Sequence, residues 1–407
     1  MTAHVIFAAP FFMDATLRFI EGATKLPDVH LTVVSQDPAE RMPPGLRERV
    51  AGHWRVDDAL DPAQLVYAAR RLEQHFGKAV RLIGALEQLQ VPLAVAREQL
   101  GLPGLRVEAA LNFRDKARMK SVLRDAGVPC ARHALVGDRD AAFAFAREVG
   151  FPVVVKPPAG AGGKSTFRLD DGAQLDAFLG RFPPNPERPT LYEEFVRGSE
   201  FSFDSVMVRG APAWHSISCY MPSPLEVLEN PWIQWIVMLP RDISGDEYAP
   251  IRNAAFNGLQ ALGLETGLSH MEWFRLADGR IAISEVGARP PGAQITSLLS
   301  YAHDLDFYRA WPELMVFERF EPPPRRYAAG AAYIRGQGQG RVKRILGLDE
   351  AQRRYGSLVV EARLPGEGQP PSDSYEGDGF VIVRDPDTAV VRNALQDIVK
   401  LIRVELE

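Results

Sequence analysis

Residues 267–292 read GLSHMEWFRLADGRIAISEVGARPPG. Two apolar, β-branched runs, Leu268–Leu276 and Ile281–Val286, flank Asp278-Gly279, a dipeptide suited to a tight hairpin turn. With those two residues at the centre of the turn, the cross-strand pairs on one face are His270–Gly287, Glu272–Glu285, Phe274–Ile283 and Leu276–Ile281. Glu272 then faces Glu285 with Cβ atoms roughly 4.5–5.5 Å apart. Two carboxylates facing across a ladder destabilise it unless a cation sits between them. That spacing suits Mg²⁺, with Mn²⁺ the alternative ion, because Mg²⁺ takes one or two carboxylates and completes its shell with phosphate oxygens and water. Arg289, two residues past the second strand, brings a planar fork suited to phosphate or carboxylate. The competing picture is an exposed face with two solvated glutamates, but the flanking positions on that face are apolar.

The same stretch argues against other chemistries. Gly267-Leu268-Ser269-His270 approaches a G-x-S-x-G nucleophile elbow, but Met271 takes the place of the last glycine and a strand follows where a helix is needed. The eight histidines form neither HExxH nor a two-histidine cluster, which disfavours a zinc hydrolase. His270 reads as a contact to substrate or to a ligand group rather than a metal ligand, with open space beside it at Gly287.

With 407 residues the chain is too long for one ordinary core and predicts two or three domains. A formal charge of −5 with mixed signs gives no broad basic surface, so nucleic acid is not an expected partner. No apolar run approaches the roughly 18 residues of a membrane span, and no membrane partner is expected. The N-terminal MTAHVIFAAPFF has no cationic region ahead of its apolar run and reads as a strand rather than a signal peptide. Cys130 and Cys219 show no paired spacing and fit small buried thiols in a reducing compartment, the cytoplasm.

Residues 1–105 alternate strands (His4–Phe7, Val29–Val34, Val80–Ile83) with helices (Asp14–Gly22, Pro62–His75, Pro92–Leu100), the pattern of a parallel sheet wrapped by helices. The first strand opens into Ala8-Ala9-Pro10-Phe11, so the dinucleotide fingerprint is absent where a dehydrogenase needs it. Val107–Gly127 is predicted as one amphipathic helix with Lys116 and Lys120 on one side, close enough to repel. A strand Phe151–Lys156 then runs into Pro157-Pro158-Ala159-Gly160-Ala161-Gly162-Gly163-Lys164-Ser165. This ends like a P-loop, but Pro158 takes the first glycine position and a strand, Thr166–Leu169, follows in place of a helix. Gly160, Gly162, Gly163, Lys164 and Ser165 instead suit a glycine-rich flap whose backbone N–H groups cover phosphate oxygens. Leu191–Val208 reads as strand, turn and strand around Arg197-Gly198, with Glu193, Glu194 and Glu200 either meeting an adenine amino group or ribose hydroxyls or forming a polar sheet face. Residues 220–241 lack periodicity and read as a loop whose Trp232 and Trp235 either line a small-molecule pocket or fasten the loop to the body. A helix Pro250–Gly263 leads to the hairpin. After the prolines at 322–324, strands at Ala328–Ile334, Val342–Leu346, Leu358–Ala362 and Gly379–Val383 and helices at Leu348–Tyr355 and Thr388–Leu401 form a smaller α+β unit, expected over the hairpin.

The ordered series Lys116, Lys156, the glycine-rich flap, Glu193-Glu194-Phe195-Val196, Glu200, Glu272, Glu285 and Arg289 resembles the ATP-grasp superfamily of carboxylate–amine ligases. The resemblance runs from about Leu105 to Leu314. The C-terminal GRVKRILGLDEA and YEGDGFVIVRDPDTAVVRNAL resemble, more loosely, the closing part of bacterial L-amino-acid ligases. The resemblance implies an ATP-grasp fold of α/β and α+β character. It would have an N-terminal parallel α/β domain (1–105), an ATP-grasp domain (106–314, its lid about 129–196) and a C-terminal α+β subdomain (315–407). It further implies that Lys116 and Lys156 hold ATP phosphates, that the backbone of Glu194, Phe195 and Val196 takes the adenine, that Glu200 binds ribose, and that Glu272 and Glu285 coordinate the metal. The family commonly carries Asn two residues after the second metal glutamate; here that position is Gly287. The implied reaction makes an acyl phosphate from a small carboxylate and ATP, then an amide with an amine, with Arg289 on the developing oxyanion. Family relatives extend the expectation to a homodimer. An ATP-grasp carboxylase or purine-pathway ligase, and a nucleotide-binding protein without turnover, are the alternatives. Neither substrate is named by the sequence.

Overall fold

The computed structural model describes residues 2–156, 166–230, 233–372, 374 and 376–407. β1 (Ala3–Ala8), β2 (Val29–Ser35), β3 (Gly52–Arg55) and β4 (Ala79–Ile83) form one parallel sheet in the order β3-β2-β1-β4. Helices Asp14–Thr24, Pro62–Phe76 and Gln90–Leu100 lie where the alternation puts them. β3 escapes the sequence reading because four residues bearing His53 and Trp54 carry too little pattern to stand out.

The predicted helix over 107–127 is two helices, Val107–Arg114 and Lys116–Asp125. Asp115 breaks it: its backbone is extended, and its side chain accepts from the Arg118 N–H at 2.9 Å, capping the second helix. Lys116 therefore opens a new helix and does not sit mid-helix.

β5 (His133–Val136), β6 (Val153–Lys156), β7 (Phe167–Leu169) and β8 (Thr190–Glu194) form a separate antiparallel sheet in the order β5-β8-β6-β7. Past β8 the chain does not fold back on itself. β9 (Gly198–Val208) enters a second sheet, so residues 195–197 carry the chain from one sheet to the other. β10 (Ala211–Met221), β11 (Trp235–Leu239), β12 (Gly267–Leu276) and β13 (Ile281–Gly287) join it there. The expected loop over 220–241 is wrong in part: a helix, Pro224–Glu229, capped by Ser223, and strand β11 occupy it. β11 (WIVML) is buried on both faces, and such a strand reads as a continuous apolar run without alternation.

The hairpin register needed two corrections. The turn is one residue longer than the Asp278-Gly279 reading, with Leu276 N–H bonded to Arg280 O and Gly279 in the left-handed region at φ 84°. This pairs Arg275 with Ile281 and Trp273 with Ile283, not Leu276 with Ile281 or Phe274 with Ile283. A bulge at Ser284 then restores the expected pairing, so that Glu272 faces Glu285 and His270 faces Gly287.

β14 (Ala328–Ile334), β15 (Gly336–Gln337), β16 (Val342–Leu346), β17 (Val359–Arg363), β18 (Gly379–Asp385) and β19 (Arg403–Leu406) complete the strands. β14, β17 and β18 continue the second sheet, whose order is β13-β12-β9-β10-β11-β14-β18-β17. The C-terminal strands therefore extend the edge far from the hairpin and do not cover it, because β14 supplies the partner that buried β11 requires. The two sheet systems meet where helix Asp14–Thr24 crosses helix Phe307–Phe317. There Gly22 lies so close that a Cβ on it would stand 2.1 Å from the Tyr308 carbonyl oxygen, and Phe19 packs on Trp311 at 5.1 Å between ring centres.

Candidate active site

A cavity of about 660 Å³ opens between the lid sheet and the hairpin face of the large sheet. Lys116, Lys156, Glu193, Glu194, Phe195, Val196, Glu200, His270, Glu272, Glu285 and Arg289 all line it. Chain segments more than 170 residues apart in sequence thus bring the described part of the predicted set to one place. Gly160, Gly162, Gly163, Lys164 and Ser165 lie outside the described residues, as does Trp232.

The hairpin supplies the acids. Alternation along β12 sends His270 and Glu272 to the cavity while Met271 and Trp273 pack into the core at 0% exposure. The bulge at Ser284 frees its carbonyl to accept from Lys120 Nζ at 2.8 Å. Lys116 Nζ donates to Glu285 Oε1 at 2.8 Å. Beside the pair, burial together with the charges of Glu272 and Glu285 holds the half-buried Glu200 carboxyl well above its ordinary range.

His270 is a cation. Its partner is Asp204, opposite it on β9 and fully buried. His270 Nδ1 lies 2.7 Å from Asp204 Oδ1, and Ser202 Oγ donates to Asp204 Oδ2 at 3.0 Å. Burial works against the charge, but Asp204 outweighs it and lifts His270 to about 9. His270 Nε2 then faces Glu272 Oε1 at 3.8 Å. Burial pushes the Glu272 carboxyl up, yet the neighbouring His270 holds it below its ordinary value.

The lysines are not a solvated basic face. Lys120 is fully buried and Lys116 nearly so. Glu193, 4% exposed, lies between Lys156 Nζ at 2.8 Å and Lys120 Nζ at 3.4 Å. Burial lowers Lys120 below its ordinary range despite Glu193. For Lys156 the same burial is overcome by Glu193, with Glu285 and Glu272 behind it, and its proton is held more tightly than usual. The Glu193 carboxylate is thus committed to two lysines. Glu194 turns the other way, accepting from Arg132 N–H at 2.9 Å and Nε at 2.7 Å. Arg168 stands over the Phe195 ring at 4.6 Å.

Arg289 Nε donates to Glu87 Oε2 at 2.8 Å, a contact from the first sheet's last loop to the large sheet. Glu87 also comes to within 3.0 Å of where a Cβ would stand on Gly287. Sequence reading names Lys120 only for its repulsion with Lys116, and passes over Asp204 and Glu87. Alternating Ser202 and Asp204 on a strand otherwise rich in core residues is the signal that could have found Asp204; Glu87 leaves none, since its partner is 202 residues away.

The site is thus a two-carboxylate hairpin facing a four-stranded lid sheet, with Lys156 supplied by the lid and Lys116 by the helix Lys116–Asp125. Residues 121–298 match the ATP-grasp domain family, and the fold is an ATP-grasp fold. The chain is 24% identical over 273 residues to the L-arginine-specific L-amino acid ligase of Bacillus subtilis, covering 65% of each protein. It is 29% identical over 221 residues to the carbamoyl phosphate synthase large chain of Thermus thermophilus, covering 50% of this chain and 21% of that one. The chain thus spans less than two thirds of the length of these relatives. Among solved structures, an L-amino acid ligase from Bacillus licheniformis superposes with a TM-score of 0.78 at 20% identity, covering 100% of this chain and 99% of that one. N5-carboxyaminoimidazole ribonucleotide synthetase from Thermotoga maritima superposes with a TM-score of 0.69 at 19% identity, covering 100% of both chains.

Proposed function

We propose that this chain is an ATP-dependent, ADP-forming ligase that activates a small carboxylate, an amino acid in the first instance, and joins it to an amine. The observation that carries the proposal is the convergence on one cavity of a facing acid pair, two lysines and an arginine, with no side-chain nucleophile required. The likeness to the amino-acid ligases supports it. In the same proposal the chain divides at about 105 and 314, acts on small molecules in the cytoplasm and pairs as a homodimer. Among the described residues no helix is long and apolar enough to cross a membrane.

The donor set fits one divalent cation. Glu272 and Glu285 are hard oxygen donors face to face, and the raised Glu200 carboxyl marks surplus negative charge beside them. Glu272 and Glu285 would hold Mg²⁺, or Mn²⁺ in its place, which when bound neutralises triphosphate oxygens as the substrate carboxylate attacks. Gly287 offers no side-chain donor. Lys116 and Lys156 then serve the phosphates, and the 194–196 backbone and Glu200 serve adenine and ribose. Charged His270 orients the carboxylate, and Arg289, steadied by Glu87, receives the charge that gathers on the acyl oxygen. The lid sheet keeps water from the acyl phosphate.

A carboxylase or purine-pathway reading would ask for a basic pocket to hold a ribose phosphate. The wall beyond Arg289 is instead apolar, with Met13, Phe19, Leu225, Leu228 and Trp235. The test is incubation with ATP, Mg²⁺ and a panel of amino acids, reading phosphate release and product mass. Phosphate release that depends on bicarbonate or a ribonucleotide, and not on any amino acid, refutes the proposal.

A further inference from the structure

The cavity has an end that the proposed nucleotide, metal and acyl groups leave unused. Its walls come from helices Asp14–Thr24 and Pro224–Glu229 and from β10 and β11, none of which belongs to the lid sheet. The wall is rigid. Trp235 stacks on Tyr333 at 4.8 Å and meets Tyr220 edge-on at 5.4 Å. Phe19 is held by Tyr308 and Trp311 at 4.8 Å and 5.1 Å.

Among the described residues, Thr16 and Glu376 bring polar groups to this surface. Thr16 is 2% exposed, and its Oγ1 has no hydrogen-bond partner among the described residues. Glu376 reaches the cavity from the connection into β18, and its carboxyl is bonded by the backbone N–H of Ala293. Ala293 and Gln294 are successive non-glycine residues at φ 49° and 55°, a strained pair that holds this N–H in place. Among the described residues Glu376 forms no ion pair, and burial raises its proton affinity. A carboxyl in an apolar wall with one neutral donor lacks a cation, and an apolar wall around it lacks a side chain.

We propose that this end binds the amine substrate of the ligation proposed above, an amino acid with an apolar side chain. Its ammonium sits on Glu376 with Thr16 completing the hydrogen bonds, and its side chain lies among Phe19, Leu225, Leu228 and Trp235. The assignment rests on the ligase reading. The acyl donor's carboxylate belongs with Arg289 and His270 in the middle of the cavity and the nucleotide at the lid, which leaves this end for the second substrate.

The test separates the two half-reactions. Hydroxylamine traps an acyl phosphate as a hydroxamate without any amine substrate, so hydroxamate formation reports acyl-donor activation, and dipeptide formation with L-leucine as acceptor reports the complete reaction. Glu376→Gln is expected to raise the KM for L-leucine about 10–100-fold, the loss of one charge-assisted hydrogen bond, while the donor KM in the hydroxamate assay stays within about twofold. Leu228→Asn is expected to lower the preference for L-leucine over glycine as acceptor. An unchanged acceptor KM in Glu376→Gln, or a rise in donor KM matching that for L-leucine, overturns the assignment. A wild type that makes hydroxamate from no carboxylate sinks the ligase reading, and this inference with it; hydroxamate without any preference for apolar acceptors sinks this inference alone.

Discussion

Replacing Glu193 with Gln removes the one negative charge between two buried ammonium groups. The Lys120, Lys156 and Glu193 side chains are 0%, 10% and 5% exposed, and the contacts are 3.4 Å and 2.8 Å. At an effective dielectric near 20, the attractions are each about 5–6 kcal/mol. Desolvation of all three groups offsets most of that in the intact triad. In the variant the lysines keep their desolvation cost and lose the compensation, so the loss is about 3–5 kcal/mol. For 407 residues at about 2.1 cal/mol/K each, that corresponds to about 4–6 °C in Tm, read by calorimetry or chemical unfolding. Lys120→Met is milder, at about 1–3 kcal/mol, because Glu193 keeps Lys156 and the main loss is the bond to Ser284 O. The pH dependence adds a second check. Burial pushes the Glu193 carboxyl up, but the two lysine charges outweigh it and hold the folded value below the ordinary one. A depressed carboxyl stabilises the fold above the unfolded value, about 4.3, and that contribution is lost as pH falls through the lower folded value. The gap in stability between wild type and Glu193→Gln is therefore flat from about pH 8 to 5 and closes below that. A loss under about 1 kcal/mol, or a gap that persists at the acid end, refutes the triad as a structural element.

Glu285→Ala removes half of the facing acid pair and leaves Lys116 without its 2.8 Å contact; it is expected to abolish ADP formation while far-ultraviolet circular dichroism stays unchanged, and normal turnover would remove the metal assignment. Arg289→Ala is expected to cut amide product about 10²–10³-fold while nucleotide affinity by titration stays close to wild type; equal losses in both would mean its role is mis-stated. Gly22→Ala drives a methyl into the Tyr308 carbonyl at 2.1 Å and is expected to lower unfolding free energy by about 1–3 kcal/mol. A neutral result there would mean the two helices part without cost.

The sequence reading reached the acid pair through two slips of register that cancel. A two-residue turn and no bulge give the same Glu272–Glu285 pairing as the observed longer turn with a bulge at Ser284. Pattern along a strand reports which face a side chain takes, and that was legible; it does not report a single extra residue on one side. The same limit hid Asp115, which reads as one polar residue in a helical run and becomes a break because its side chain competes for the N–H groups of the next turn. In the parallel sheet β1, β2 and β4, in the lid β6, β7 and β8, and in the C-terminal part β14, β16, β17 and β18 were legible from alternation and β-branched runs, whereas β3, β5, β15 and β19 were not. The placement of β14 beside β11 was not, because β11 is buried on both faces and its run carries no period.

What stayed out of reach are contacts whose partners lie far apart in the chain. Lys120 is visible as a lysine one turn after Lys116, and on a lone helix the two would repel. The fold resolves the conflict by giving each its own acid, Lys116 to Glu285 and Lys120 to Glu193, on different sheets. One helix thereby ties the lid strand β8 to the hairpin strand β13. The helix that positions Lys116 against Glu285 also carries the lysine that contacts the lid's Glu193, so the two contacts share one rigid element. Coupling between the lid sheet and the acid pair is expected from this shared helix, and Lys120→Met, which removes both the contact to Glu193 and the bond to Ser284 O while leaving Lys116 in place, is expected to weaken it.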